Sequence, residues 1–169
     1  MTPERDPIRE AHAQWRAHGW DEAADGMAMV TSLARAHQLQ MERIESVLRP
    51  YGLTFARYEV LRLLSFTRSQ SMPMTRLGSL LQVHPTSVTS AVDRLVRQGF
   101  VERLRPDGDR RIVLASLTHD GLAAVEAATA ALNEAVFSHP GLSGTDVVRL
   151  TELLSELRSS AGDHVVTSK

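Results

Sequence analysis

Apolar residues recur at helical spacing over most of this chain, and the interruptions fall at glycine, proline and short hydroxyl residues. Asp6-Pro7 offers a capping carboxylate followed by a first-turn proline, and Ile8, Ala11 and Trp15 follow at helical spacing up to Gly19. From about Asp25 a longer helix is predicted. Its stripe of Met27, Val30, Ala34, His37, Met41, Ile44 and Leu48 recurs at alternating steps of 3 and 4, a heptad-like pattern suited to packing on another long helix. Pro50 and Gly52 end it. Thr54 can cap a third helix that turns Phe55, Tyr58, Val60, Leu61 and Leu64 inward, and the polar stretch 67–73 reads as a loop. Thr75 can cap a short helix holding Leu77, Leu80 and Leu81, with Gln82-Val83-His84 as the turn before a helix over 85–99. Two strands follow at 100–105 and 112–117, joined by the turn chemistry of Pro106-Asp107-Gly108-Asp109. Thr118 can cap a helix with the stripe Leu122, Val125, Ala128 or Thr129, Leu132 and Val136, which His139-Pro140-Gly141 breaks. Ser143 and Asp146 form a capping pair for a last helix whose apolar side is Leu150, Leu153, Leu154 and Leu157.

The fold class is therefore mainly α with a small β hairpin, and the order within 75–117 is informative. A short helix, a tight turn, a second helix and an Arg-rich hairpin are the parts of a winged helix-turn-helix. At 100° per residue, the helix over 85–99 places Val88, Val92, Leu95 and Val96 on one face. Thr86, Ser87, Ser90, Asp93, Arg94 and Arg97 fall on the other. Short hydroxyls such as those of Thr86, Ser87, Thr89 and Ser90 can approach base edges or phosphates closely, and a Thr methyl can touch the thymine methyl. Pro85 at the first helical position leaves the next N–H groups free for a phosphate. An amphipathic surface helix alone would look similar. Four further guanidiniums, Arg103, Arg105, Arg110 and Arg111, gather at the hairpin, more than solvation needs, and such a tip suits the narrow minor groove.

Charge divides along the chain in the same sense. The net charge is −1, yet residues 76–111 hold 7 arginines against 4 carboxylates, while 112–169 hold 3 basic groups against 7 acidic ones. A local patch, not the total, decides where a polyanion binds. The chain has no cysteine, which excludes disulfides and thiolate metal sites. No HExxH, P-loop, GxSxG or GxGxxG is present, so neither an enzyme nor a cofactor is expected, and no metal. No apolar run is long enough to span a bilayer and the N-terminus lacks a signal-peptide order, so the expected location is the cytoplasm.

The run LGSLLQVHPTSVTSAVDRLVRQGFVERLRPDGDRRIVLASLT, with the long helices around it, resembles the MarR family of winged-helix regulators over about residues 25–160. The Asp109-Arg110-Arg111 wing tip ahead of an apolar strand and Leu117-Thr118 is its most specific part. The resemblance implies a homodimer on a pseudo-palindrome of double-stranded DNA, acting most simply as a ligand-responsive repressor. It implies an extra helix over 1–24, a helical dimerisation region at 25–53 and 118–162, a winged helix-turn-helix at 54–117 and a flexible tail at 163–169. DNA contacts are expected from Thr86, Ser87, Thr89, Ser90, Arg94 and Arg105, with Asp109 orienting arginines and Arg110 or Arg111 entering the minor groove. An Asp109–Arg94 pair bracing wing to reading helix is also implied. The N-terminal segment DPIREAHAQWRAHGW is similar to that of a urate- or phenolic-type subgroup with a Trp near its ligand. Trp15 matches that Trp and Glu59 stands where the subgroup has Asp, while Ala91 stands where it carries Arg. A small anionic aromatic effector is the partner this suggests. His37, Met41, Tyr58 and Arg62 are further candidates, since His and Arg can donate to an anion in a partly apolar cleft. The plainer reading of His37 is a half-exposed helix histidine, and of Trp15 and Trp20 a pair of apolar anchors. The rival functional class is a winged helix that serves only dimerisation or protein contact without binding DNA.

Overall fold

The computed structural model describes residues 6–81, 85–105 and 112–163, without the side chain of Pro85. Asp109, Arg110 and Arg111, the turns expected at 82–84 and 106–109, and residues 164–169 lie outside the described residues. The chain divides into two compact units, Met1–Ala128 and Thr129–Lys169.

In the first unit, α1 (Pro7–Ala17) starts where the Asp6 carboxylate accepts the Ile8 N–H at 3.0 Å. Gly19, at φ +81°, then reverses the chain. The next helix, α2 (Asp21–Leu48), begins four residues earlier than its apolar stripe suggests. Trp20 at its N-cap makes no side-chain hydrogen bond. Asp21 and Glu22 instead place negative charge on the positive end of the helix dipole. A single 3₁₀ turn at Arg49–Tyr51 and Gly52 at φ +66° lead into α3 (Phe55–Ser65), where Thr54 Oγ1 accepts the Arg57 N–H at 3.4 Å.

The stretch expected as a loop contains a strand, β1 (Ser71–Pro73), which runs straight into α4 (Met74–Leu81). Thr75 is therefore inside that helix and not its cap. The Met74 N–H donates to the Val113 carbonyl at 3.0 Å, so a partner across the sheet satisfies it. After α5 (Pro85–Arg97) come β2 (Val101–Leu104) and β3 (Leu114–Leu117), both shorter than expected. The sheet is antiparallel in the order β1-β3-β2, with Met72 opposite Ala115 and Val101 opposite Leu117. Pro73, lacking an N–H, sits on an edge strand, where no ladder bond is lost.

The core joins α2 through Ile44 and Leu48, α3 through Val60, Leu61 and Leu64, α4 through Leu77, α5 through Val88, Val92 and Leu95, and the sheet through Met72, Val101 and Ala115. Of the leucines on α4, Leu77 is buried while Leu80 is 49% exposed. Thr118 Oγ1 accepts the Gly121 N–H at 3.0 Å and caps α6 (His119–Leu132). Gly121 is required there, because a Cβ would overlap the Phe100 carbonyl. The boundary between the units falls within α6.

In the second unit α6 passes into a π turn at Asn133–Phe137, with Leu132 and Val136 buried. Ser143 Oγ caps α7 (Gly144–Ser160), accepting the Asp146 N–H at 3.4 Å and donating to the Asp146 carboxylate at 2.5 Å. The apolar side of α7 is largely open: Leu150, Leu153 and Leu157 are exposed and Leu154 is half-buried.

Candidate nucleic-acid interface

The core fixes the orientation of α5. Burying Val88, Val92 and Leu95 forces the opposite side of the helix outward, and Thr86, Ser87, Thr89, Ser90 and Arg94 are all exposed. Val96 departs from the pattern: it lies at the margin of the apolar face and is exposed. Gly99 at φ +76° ends the helix, and the Phe100 N–H returns to the Leu95 carbonyl at 3.0 Å, which sets the course of β2.

The hairpin is braced to this helix. Arg103 Nη2 on β2 lies 2.7 Å from Asp93 Oδ1 on α5, and both side chains are partly exposed. Arg103 is thus engaged by the protein's own carboxylate, while Arg105 at the end of β2 is exposed. A cleft between hairpin, α5 and the start of α4 is lined by Thr75, Thr89, Arg103 and Arg105. The expected Asp109–Arg94 brace involves a residue outside those described. Asp93–Arg103 is a bond of the same kind, and nothing in the periodicity pointed to it.

On the other flank of α5 the structure places a residue that the sequence reading passed over. Arg57, in the first turn of α3, donates from Nε to Thr54 Oγ1 at 3.2 Å and from Nη1 to Gln98 Oε1 at 2.9 Å. Gln98 Nε2 in turn donates to the Gly52 carbonyl at 2.9 Å, and Glu45 accepts the Phe55 N–H at 3.0 Å. The ends of α2, α3 and α5 are tied together by this set. Burial, then the nearby Arg94 charge, hold the Arg57 pKa below its ordinary range, and Glu45 opposes them. A signal existed: Arg57 stands three residues after a Thr cap, where Glu or Gln would complete a capping box. A cation there also opposes the helix dipole. Such a local conflict is characteristic of a functional position.

The effector candidates fall in three places. Trp15 is half-buried on α1, with its ring edge-on to Trp20 at 5.3 Å between centroids. On α2, His37 is exposed and Met41 half-buried. On α3, Tyr58 is buried, while Glu59 and Arg62 are half-buried. Arg62 donates to the Val125 carbonyl and to Ser65 Oγ, each at 3.2 Å, and lies 5.3 Å from the Phe66 ring centre. Burial pushes the Glu59 carboxyl above its usual value. Among the described residues no three His, Asp or Glu side chains gather as a metal site, and no helix is long and apolar enough to cross a membrane.

Comparison with known proteins places these features. The MarR family model matches residues 53–113, from the start of α3 to the threshold of β3. Sco5413, a MarR family transcriptional regulator from Streptomyces coelicolor, is 42% identical and superposes with a TM-score of 0.73 over 83% of this chain and 99% of its own. A mutant MarR from E. coli, solved in complex with operator DNA, is 25% identical with a TM-score of 0.71, covering 81% of this chain and 98% of that one. The HTH-type transcriptional regulator YhbI of Bacillus subtilis is 33% identical over 54% of this chain. That match spans 58% of YhbI, less than two thirds of its length.

Proposed function

The chain belongs to the MarR family, whose members are transcriptional regulators and not enzymes, and from that premise we propose that it binds double-stranded DNA as a homodimer and represses transcription until a small ligand releases it. The observation that carries the reading is the division of α5: three apolar side chains lock it to the core while four hydroxyl residues and Arg94 stand exposed. The hydroxyls are short enough to approach base edges, and Arg94 and Arg105 reach toward backbone or guanine. Asp93–Arg103 keeps the hairpin in register with the helix, so both arrive at the duplex as one rigid reading head. The E. coli relative solved with operator DNA supports the same use of this fold. Asp109 and either Arg110 or Arg111 supply the minor-groove contact in this reading.

Two copies are needed because one head covers only one half-site. The surfaces left for a second copy are apolar and exposed: Val30, Leu33 and Leu39 on α2, and Leu150, Leu153 and Leu157 on α7. The proposed dimerisation region accordingly takes in 25–53 and 118–162, with 54–117 as the reading head. Two reading helices then enter successive major grooves, about 34–36 Å apart. An anionic aromatic effector is assigned to the surroundings of Trp15, His37, Met41, Tyr58, Glu59 and Arg62, where a change in packing alters head spacing. A cytoplasmic location accompanies a chromosomal target.

The test is to select bound fragments from the source genome and to measure gel retardation with them and with randomised duplex. The reading expects affinity for the selected fragments at least about a thousandfold above random duplex. A dimer that retards neither class at low salt would leave only the interaction-module alternative.

A further inference from the structure

Beside α5, on the flank away from the hairpin, an open groove runs to the start of α3. Its sides carry Arg57 and Thr54 on one edge and Ser87, Ser90 and Arg94 on the other. Two guanidiniums line this one groove, and the Arg57 pKa is held below its ordinary range by burial first and by the Arg94 charge second. Neither has a carboxylate hydrogen-bonded to it among the described residues. Arg57 donates to a hydroxyl and an amide oxygen, both neutral, and the Arg94 side chain donates to no protein acceptor among them. Glu45, whose charge opposes the lowering of the Arg57 pKa, has an oxygen committed to the Phe55 N–H. Arg57 is moreover held at two of its three nitrogens, so its direction is set before any ligand arrives. Two cations in one groove, one of them pre-oriented and neither hydrogen-bonded to a carboxylate among the described residues, suit a phosphate-like anion, and hydroxyls flank them. The groove is open along its length and continuous with the exposed hydroxyl face of α5, which suits a passing chain better than an enclosed free ion.

We infer that Arg57 and Arg94 together clamp one DNA backbone phosphate per protomer at the edge of the major groove, with Thr54 and Gln98 holding Arg57 in position. The inference rests on the DNA-binding reading above. It adds a contact from α3, outside the helix-turn-helix and the wing, that fixes how deeply α5 enters.

The test uses the full chain and a genome-selected duplex titrated between about 0.05 and 0.2 M salt. Arg57→Gln weakens one phosphate contact per protomer that Arg94 still touches, so the slope of log affinity against log salt should become measurably shallower, by up to about 1.8 for the dimer. The loss should be equal on selected and scrambled duplex, and Arg57→Lys should keep the slope. A second measurement needs no variant to fold: wild-type protein is titrated onto duplexes carrying a single uncharged methylphosphonate at each backbone position. One position per half-site should weaken the wild type, and at that position alone Arg57→Gln should lose less affinity than the wild type does. An unchanged slope in Arg57→Gln, with every methylphosphonate sensed as fully as by the wild type, makes Arg57 a brace only and overturns the inference while DNA binding stands. Inorganic phosphate that raises the melting temperature of the wild type but not of Arg57→Gln, with identical duplex slopes, assigns the groove to a free anion and also overturns it. A wild type that binds no duplex fails at the earlier reading.

Discussion

Helices α5 and α2 use the same building rule and finish in opposite states. In α5 the residues left in water are hydroxyls and guanidiniums, while Val88, Val92 and Leu95 are buried within the chain. In α2 the whole run 31–40 is exposed, and it includes Leu33 and Leu39. A polar surface on a helix anchored by its own core needs no partner for stability, so its composition is free to serve recognition. Leucines left in water along a helix are better accounted for by a partner, because large exposed apolar patches are uncommon on monomers. In the proposed reading the difference separates the partners of the two helices, a polyanion for α5 and another copy of the chain for α2.

The strongest way to break the contrast is to charge the α2 surface. Across a two-fold interface each substitution acts twice, so Leu33→Glu should give monomers by sedimentation velocity while helical circular dichroism persists. Operator affinity should fall at least about a hundredfold, because the second head loses its high effective concentration. An unchanged sedimentation coefficient would show that α2 is not the dimer surface. On α5 the vulnerable side is the buried one. Leu95, fully buried, should cost about 2–5 kcal/mol as Leu95→Ala in urea denaturation, whereas Thr86→Ala and Ser90→Ala should leave stability within about 0.5 kcal/mol. Equal effects on both sides would erase the division that the reading depends on.

A smaller effect isolates the wing. Asp93→Ala frees Arg103, a partly exposed pair contributing at most about 1 kcal/mol to stability. Its larger consequence should appear as faster dissociation from operator, since hairpin and helix no longer arrive in fixed register. An unaltered dissociation rate would show that the hairpin holds its place by other means. The smallest effect concerns pH. Burial raises the Glu59 pKa above its ordinary 4.5, so the unfolded chain releases this proton first. Stability from this group is present below about pH 4.5 and falls as pH rises toward the folded-state pKa. Glu59→Gln should remove that decline and be the more stable protein at pH 7 by denaturant midpoint. Parallel pH profiles would place Glu59 in a more solvated setting.

What the sequence made legible was whatever chemistry acts within one turn of itself. The caps at Asp6, Thr54, Thr118 and Ser143 are local hydrogen bonds and stand where the residues suggested. The inward residues of α3 and the locked face of α5 followed from period alone. Features set by distant partners were not legible. β1 is a three-residue strand containing a proline, recognisable only through β3, and the sheet also displaces Thr75 from a capping role. The start of α2 lacks a side-chain cap and so gave no marker. Arg57 and the Asp93–Arg103 pair required knowing that α3, α5 and β2 meet. Arg57 still left a trace as a cation in a helix's first turn.

Methylation interference on a genome-selected duplex tests the central claim most directly, because guanine N7 lies only in the major groove. The account predicts two clusters of blocking methyl groups, centred about one helical turn apart, and the loss of a cluster's discrimination in Ser90→Ala or Thr86→Ala. Full binding to duplex methylated throughout its major groove would contradict it.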